Sequence, residues 1–246
     1  MAGTVLHVRC LGTFALRSDG EWYPRAAIKR GRELLQYLVS YPHVQASSEL
    51  LAEMLWPLED GDRVAHRLHL AVSGARAVLR PLFPGIDAIR RTASSYAWHQ
   101  SIAIESDLAA LLHASRDGSR EARENAAALH AGEFLAGDNA EWMYPLRVRC
   151  SSAYLRVLER LAEEAMNERD YRSALEWSLR LAESDRSHEG AARLAMRALD
   201  ACGRRGAALA QFDELSRYLR AHLAIEPSAQ TLSLREEIAG GTLAFA

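Results

Sequence analysis

The stretch Leu55–Arg80, LWPLEDGDRVAHRLHLAVSGARAVLR, decides how the first hundred residues are read. From Asp62 onward Val64, Leu68, Ala71, Val72, Ala75 and Leu79 fall on one side of a helix, a single apolar stripe. The opposite side carries Arg63, His66, Arg67, Leu70, Ser73, Gly74 and Ala77, with His69 and Arg76 at its edges. The stripe faces a core, so the other side is presented outward. Pro81 and Pro84 end the helix.

Two shorter helices precede it. Leu34, Leu35, Leu38 and Val39 recur at helical spacing until Tyr41-Pro42 stops them. Ser47 is placed to cap a second helix, with Glu49 in its first turn, where a carboxylate favours the helix dipole. Its expected buried face is Leu50, Leu51, Met54 and Leu55, and Trp56-Pro57 closes it. Before the helices, Val5 to Leu16 reads as extended, with a turn at Ser18-Asp19-Gly20 and a return strand beginning at Trp22-Tyr23 and ended by Pro24. After them, Ile86 to Arg91 and Tyr96 to His99 flank Thr92-Ala93-Ser94-Ser95 as a hairpin. Strands, three helices and a hairpin follow the winged helix-turn-helix plan, in which the third helix enters the major groove and the hairpin touches the neighbouring backbone.

From Asp107 onward the pattern is helical throughout. Helices are expected near 107–116, 121–131, 146–168, 171–183, 188–202, 206–222 and 229–239, broken at Gly118, Gly132, Gly137, Asp170, Ser184-Asp185, Gly203 and Pro227. Ala174, Leu175, Ser178 and Leu181 recur 34 residues later as Ala208, Leu209, Phe212 and Leu215. That period is the tetratricopeptide one, and Ala174 and Ala208 stand where paired helices must approach closely. The expected fold class is mainly α with a small β component. A winged helix-turn-helix domain occupies 1–104 and an all-α tetratricopeptide-like bundle 105–246.

Composition fits this division. Of the 246 residues 49% are hydrophobic, enough for packed cores, and the net charge is −2. Residues 1–104 carry +3 and residues 105–246 carry −5, a basic front and an acidic back. Lys29 is the single lysine; every other basic side chain is arginine. Cys10, Cys150 and Cys202 are too far apart for a disulfide framework or a zinc knuckle. No signal peptide and no membrane-length apolar run are legible, so a cytoplasmic location is expected. No metal-spaced histidine pair, Gly-x-Ser-x-Gly or Gly-x-Gly-x-x-Gly occurs, so neither an enzyme nor a cofactor is expected. Glu163, Glu164, Glu168 and Asp170 read as solvated helix acids, and Trp142 and Trp177 as core or groove fillers.

Candidate DNA contacts follow from the outward side of the third helix. Arg63 and Arg67 suit phosphate or guanine, since bidentate arginine on guanine is the commonest specific base contact. His66, His69, Ser73 and Arg76 complete the set. Lys29, Arg30 and Arg32, at the start of the first helix, oppose its dipole, which favours a role in gripping the DNA backbone. Arg90, Arg91, Thr92, Ser94 and Ser95 form the wing, where arginine suits a minor groove. A plain solvated basic face is the competing reading of any one of these residues.

Several segments resemble the antibiotic regulatory protein family of actinomycetes and its relatives. Leu55–Arg80 is similar to that family's second-helix end and recognition helix. Leu129–Arg147, LHAGEFLAGDNAEWMYPLR, resembles its activation domain, and Arg169–Thr231, with Leu-Ala-Ile-Glu-Pro-Ser near its end, resembles its last tetratricopeptide units. The resemblance implies an OmpR-type winged helix joined to a bacterial transcriptional activation domain, acting as an activator. The winged-helix reading itself makes double-stranded promoter DNA the expected partner; one module has modest reach, so a dimer on half-sites about 10–11 bp apart is expected, with the helical half supplying dimer contacts, a surface for RNA polymerase or a ligand-sensing groove. Gly74 and Ala75 depart from the family's basic residue and leucine, and glycine within a helix costs roughly 1 kcal/mol. No Walker A pattern accompanies Lys29. The alternatives are a protein-interaction scaffold and a regulator whose helical domain binds a small-molecule effector.

Overall fold

The computed structural model describes residues 4–23, 29–57, 59 and 62–241. The expected strand end at Pro24 lies outside them. The chain is mainly helical with a small β component. It divides into two compact units, Met1–His113 with Ala128–Ser151, and Ala114–Ala127 with Ser152–Ala246.

In the first unit β1 (Thr4–Arg9) is the middle of a three-stranded sheet and buries Leu6 and Val8 by strand alternation. β2 (Ala15–Arg17) pairs with it antiparallel, His7 opposite Arg17. On its other side β6 (Ile102–Ser106) runs parallel, Thr4 opposite Ile102. That strand was not expected from the sequence. The return strand expected at Trp22-Tyr23 reduces to one bridge, Leu16 with Tyr23. Trp22 instead lies beneath two guanidinium groups, Arg9 at 4.1 Å and Arg17 at 4.7 Å.

Three helices follow, α1 (Lys29–Ser40), α2 (Ser48–Leu55) and α3 (Asp62–Leu79), and α3 packs on the other two. All six expected stripe residues of α3 are buried. Ser47 caps α2, its Oγ accepting from Leu50 N at 3.0 Å. The buried face of α2 is narrower than expected: Leu51 and Leu55 are buried, Leu50 is 42% exposed and Met54 half-buried. Two helical turns bury one i, i+4 pair here and leave its neighbours at the edge.

The hairpin of β4 (Ile89–Thr92) and β5 (Ser95–Trp98) follows α3. A two-residue strand, β3 (Ala46–Ser47), joins it, Ala46 opposite Tyr96. Ser48 N donates to Ser94 O at 2.7 Å, and Trp98 Nε1 to Leu38 O at 2.9 Å. The hairpin is thereby fastened to the start of α2 and to α1.

The first unit also takes in residues that a partition at 104 would place in the second half. The unit boundaries cut through the next three helices, α4 (Asp107–Asp117), α5 (Arg120–Leu129) and α6 (Tyr144–Asn167), and the first unit holds the start of α4 and of α6. Asp107 accepts from Cys10 N at 2.7 Å and Leu11 N at 2.9 Å, tying the end of β1 to the start of α4. Burial raises its carboxyl above the usual range, against the pull of these N–H donors. Gly12, at φ +110, donates to Glu133 O at 2.9 Å; a Cβ there would stand 3.3 Å from Ala131 Cβ. Phe134 bridges Leu11, and its ring meets Trp142 edge-on at 6.4 Å. Backbone pairing and aromatic packing therefore hold residues 131–142 against the strand end and Tyr37, which contacts Trp142 at 5.4 Å.

The second unit is helical. Besides most of α5 and α6 it holds α7 (Tyr171–Ser184), α8 (Glu189–Ala201), α9 (Arg205–Tyr218) and α10 (Ala229–Gly240). α7 and α9 begin 34 residues apart. Ala174 is fully buried with Ala165 and Ala198, and Ala208 with Met196, Leu199, Phe212, Leu234 and Ile238. Ser178, Leu181 and Leu215 are buried as the repeat requires. The helix expected over 206–222 stops at Tyr218, widens into a π turn over Leu219–Leu223 and ends at Ala224 with φ 54. Of the acids expected to be solvated, Glu163, Glu168 and Asp170 are exposed and Glu164 is half-buried; Glu164 binds Arg123, Glu168 binds Arg120, and Asp170 caps α7 through Ser173 N at 3.1 Å.

Candidate nucleic-acid interface

The amphipathic stripe that buries one side of α3 turns Arg63, His66, Arg67, His69 and Ser73 outward, and all five are exposed. Leu70 lies among them, 55% exposed. Between Arg63 and Leu79 α3 has no carboxylate. Gly74 leaves the helix unbroken, and a Cβ there would meet nothing within 4 Å.

Arg63 forms no ion pair among the described residues, whereas Arg67 is held. Its Nη1 donates to Glu59, and its guanidinium lies 5.3 Å from the ring of buried Trp56. Arg30 is held in the same manner, by Glu33 at 2.7 Å and by the same ring at 5.8 Å. Trp56 is thus a shared platform, with two arginines held beside carboxylates. Lys29 is exposed at the start of α1, and Arg32 binds Asp138 at 2.9 Å.

Arg76 points elsewhere. Its Nε and Nη2 donate to Ile89 O at 3.0 and 2.6 Å, and Nε lies 2.9 Å from Asp87. That guanidinium clamps the first hairpin strand to α3. Beyond the clamp Arg90, Arg91, Thr92 and Ser94 are exposed, while Ser95 is half-buried and donates to Thr92 O at 3.1 Å. The structure therefore gathers Arg63, His66, Arg67, His69 and Ser73 on one helix face and Arg90, Arg91 and Thr92 on the hairpin. Sequence reasoning missed Trp56 as a platform and Glu59 and Glu33 as counter-carboxylates. The i, i+3 spacing of Arg30 and Glu33 could have shown one pair; Glu59 and Arg67 are joined across a loop and carry no periodic signal.

Two of the three cysteines, Cys10 and Cys150, are buried, and Cys202 is exposed. Burial, with nearby Asp107, pushes Cys10 well above its ordinary range and Cys150 up to about 12, so both stay protonated near neutrality. Among the described residues no helix is long and apolar enough to cross a membrane.

The chain thus joins strands, three helices and a clamped hairpin to a unit of repeated helices. The sequence matches the bacterial transcriptional activator domain over residues 104–239, and the chain belongs to that family. Its fold is that of a solved chain described as Mycobacterium tuberculosis EmbR in complex with low affinity phosphopeptide, with a TM-score of 0.76 and 18% identity. The similarity covers 97% of this chain and 66% of that one, so the chain spans just under two thirds of that structure. No curated protein matches the sequence.

Proposed function

We propose that the chain is a sequence-specific DNA-binding transcriptional activator with an OmpR-type winged helix. The observation that carries this reading is the outward face of α3, which presents Arg63, His66, Arg67 and Ser73 without an intervening carboxylate. α3 lies in the major groove. Arg63 and Arg67 take phosphate or guanine, and His66, His69 and Ser73 donate beside them. Arg90, Arg91, Thr92 and Ser95 form the wing on the flanking backbone. Lys29 and Arg30 grip phosphates from α1. Arg76 acts through the wing, fixing its distance from α3 rather than reading a base.

Residues 1–104 are the DNA-reading module and residues 105–246 the activation module, which contacts RNA polymerase. A homodimer on two half-sites supplies the affinity that one module lacks. The site of action is the cytoplasm.

Selection of bound fragments from random DNA, followed by mobility shifts on the selected sequence, tests this reading. Arg63→Ala should weaken binding about tenfold and, if Arg63 holds a phosphate, flatten the salt dependence by about one unit of slope. Enrichment of no sequence, or equal retardation of selected and scrambled DNA, defeats it.

A further inference from the structure

A cleft of about 560 Å³ opens in the first unit between α1, α2 and residues 138–143. That volume is within the range of small-molecule sites. The two α2 residues left out of the core, Leu50 and Met54, line it, with Met143 and Trp142. Its lining acids are Glu33, Glu53, Asp138 and Glu141, against Lys29 and Arg30. Arg30 is already engaged by Glu33 and Asp138 by Arg32, which leaves Glu53 and Glu141 against Lys29. The cleft favours a cation.

Two polar atoms of opposite demand belong to its lining side chains. Glu33 is only 6% exposed; Oε2 accepts from Arg30, while Oε1 is buried and has no donor among the described residues. The indole Nε1 of Trp142 is likewise buried with no acceptor among them. Buried polar groups are nearly always satisfied, and orphans of opposite kind at one cleft point to a bound group that supplies both partners. The terminal carboxylate torsion of Glu33 is soft, so Oε1 can swing to meet it. Trp142 sits in the 3-10 turn Glu141–Met143 that leads into α6, its ring set edge-on by Tyr37 and Phe134, so its N–H has a fixed direction.

We propose that this cleft binds a small hydroxylated amine. The ammonium group donates to Glu33 Oε1, a hydroxyl oxygen accepts from the Trp142 indole N–H, and Glu53 and Glu141 supply the remaining field. The cleft shares Lys29 and Arg30 with the proposed DNA contacts, but its binding does not depend on that reading and is tested without DNA.

The experiment is a titration of the full chain followed by the Trp142 indole N–H signal in 1H–15N NMR, assigned by its loss in Trp142→Phe. Glucosamine is the probe, with glucose and N-acetylglucosamine at equal ionic strength as neutral counterparts. Glucosamine should move the signal saturably, and the two neutral sugars should not. Glu33→Gln keeps the side chain's shape and should weaken glucosamine at least tenfold, because a charge-assisted bond becomes a neutral one. The rest of the spectrum reports that the variant is folded. If glucosamine leaves the signal where glucose leaves it, the cleft holds only water and the proposal fails. Equal affinity of Glu33→Gln and the parent chain overturns it as well.

Discussion

α3 and the helices of the second unit are built on one amphipathic rule and draw the carboxylates of their outer faces from different places. In the second unit some outward arginines meet carboxylates, Arg120 with Glu124 and Glu168, Arg186 with Glu214 at 3.6 Å and Arg220 with Glu226 at 2.7 Å, while exposed Arg156, Arg172, Arg197 and Arg217 form no ion pair among the described residues. Exposed pairs of this kind add little stability. They cancel charge, so these arginines offer little field to a distant polyanion. On α3 the outward face from Arg63 onward has no acid of its own. Where its arginines are neutralised, the acid comes from a loop, as Glu59 does for Arg67, or from the hairpin start, as Asp87 does for Arg76. An arginine count therefore says little about DNA affinity; what differs is whether a pairing carboxylate lies on the helices themselves, as Glu124 and Glu214 do, or, as for Arg67 and Arg76, outside α3.

The inner faces differ as well, and breaking them has the largest effect. Ala174 is fully buried against Ala165 and Ala198, where close helix approach leaves no room. Ala174→Leu should cost about 3 kcal/mol by overpacking. Ala77→Leu makes the same change on the exposed side of α3 and should stay within about 0.5 kcal/mol. Urea denaturation of both variants measures the contrast. Equal losses would mean that the 34-residue alanine does not mark a close helix contact.

The next test sharpens the electrostatic difference. Glu59→Gln removes the carboxylate that holds Arg67 and leaves Trp56 beneath the guanidinium. DNA binding should tighten about fivefold, with a salt dependence steeper by about one unit, because one more cation becomes available to phosphate. Weaker binding in a mobility-shift series would instead make Glu59 a positioning residue for Arg67.

Legibility followed the range of the interaction. The α3 stripe and the 34-residue repeat are local and periodic, and both stand in the structure as the sequence pattern predicts, to within a few residues at helix ends. β6 escaped because Ile102 to Ser106 is short and becomes a strand only beside β1, nearly a hundred residues earlier. The pairing of residues 131–136 with 10–12 is equally distant, and nothing in the run Gly-Glu-Phe-Leu announces it. Leu50 and Met54 were read as core because helical spacing cannot tell a core from a cleft wall. At the proposed DNA face the exposed positions were legible as positions. Which guanidinium is free, which is masked and which clamps the hairpin depended on partners across loops, for which a single sequence has no period.

The smallest effect lies where the repeat compares itself. Arg169 and Gly203 stand 34 residues apart, each just before a helix of the second unit, and both take positive φ, 61 and 72. The same turn is thus made once by the residue that adopts it freely and once by a side chain that resists it. The left-handed region costs a non-glycine residue about 1–2 kcal/mol. Glycine's greater freedom in the unfolded chain returns part of this, roughly 0.4–1 kcal/mol. Arg169→Gly should therefore stabilise by about 0.5–1 kcal/mol and raise Tm by about 2 °C. Gly203→Ala should lower stability by a similar amount. A Cβ at Gly203 would meet nothing within 4 Å, so its loss is conformational and not steric. Scanning calorimetry of the two variants and their double mutant reads both shifts. If Arg169→Gly destabilises, the Arg169 side chain contributes more to its turn than the strained φ takes away, and the two repeats do not share one junction.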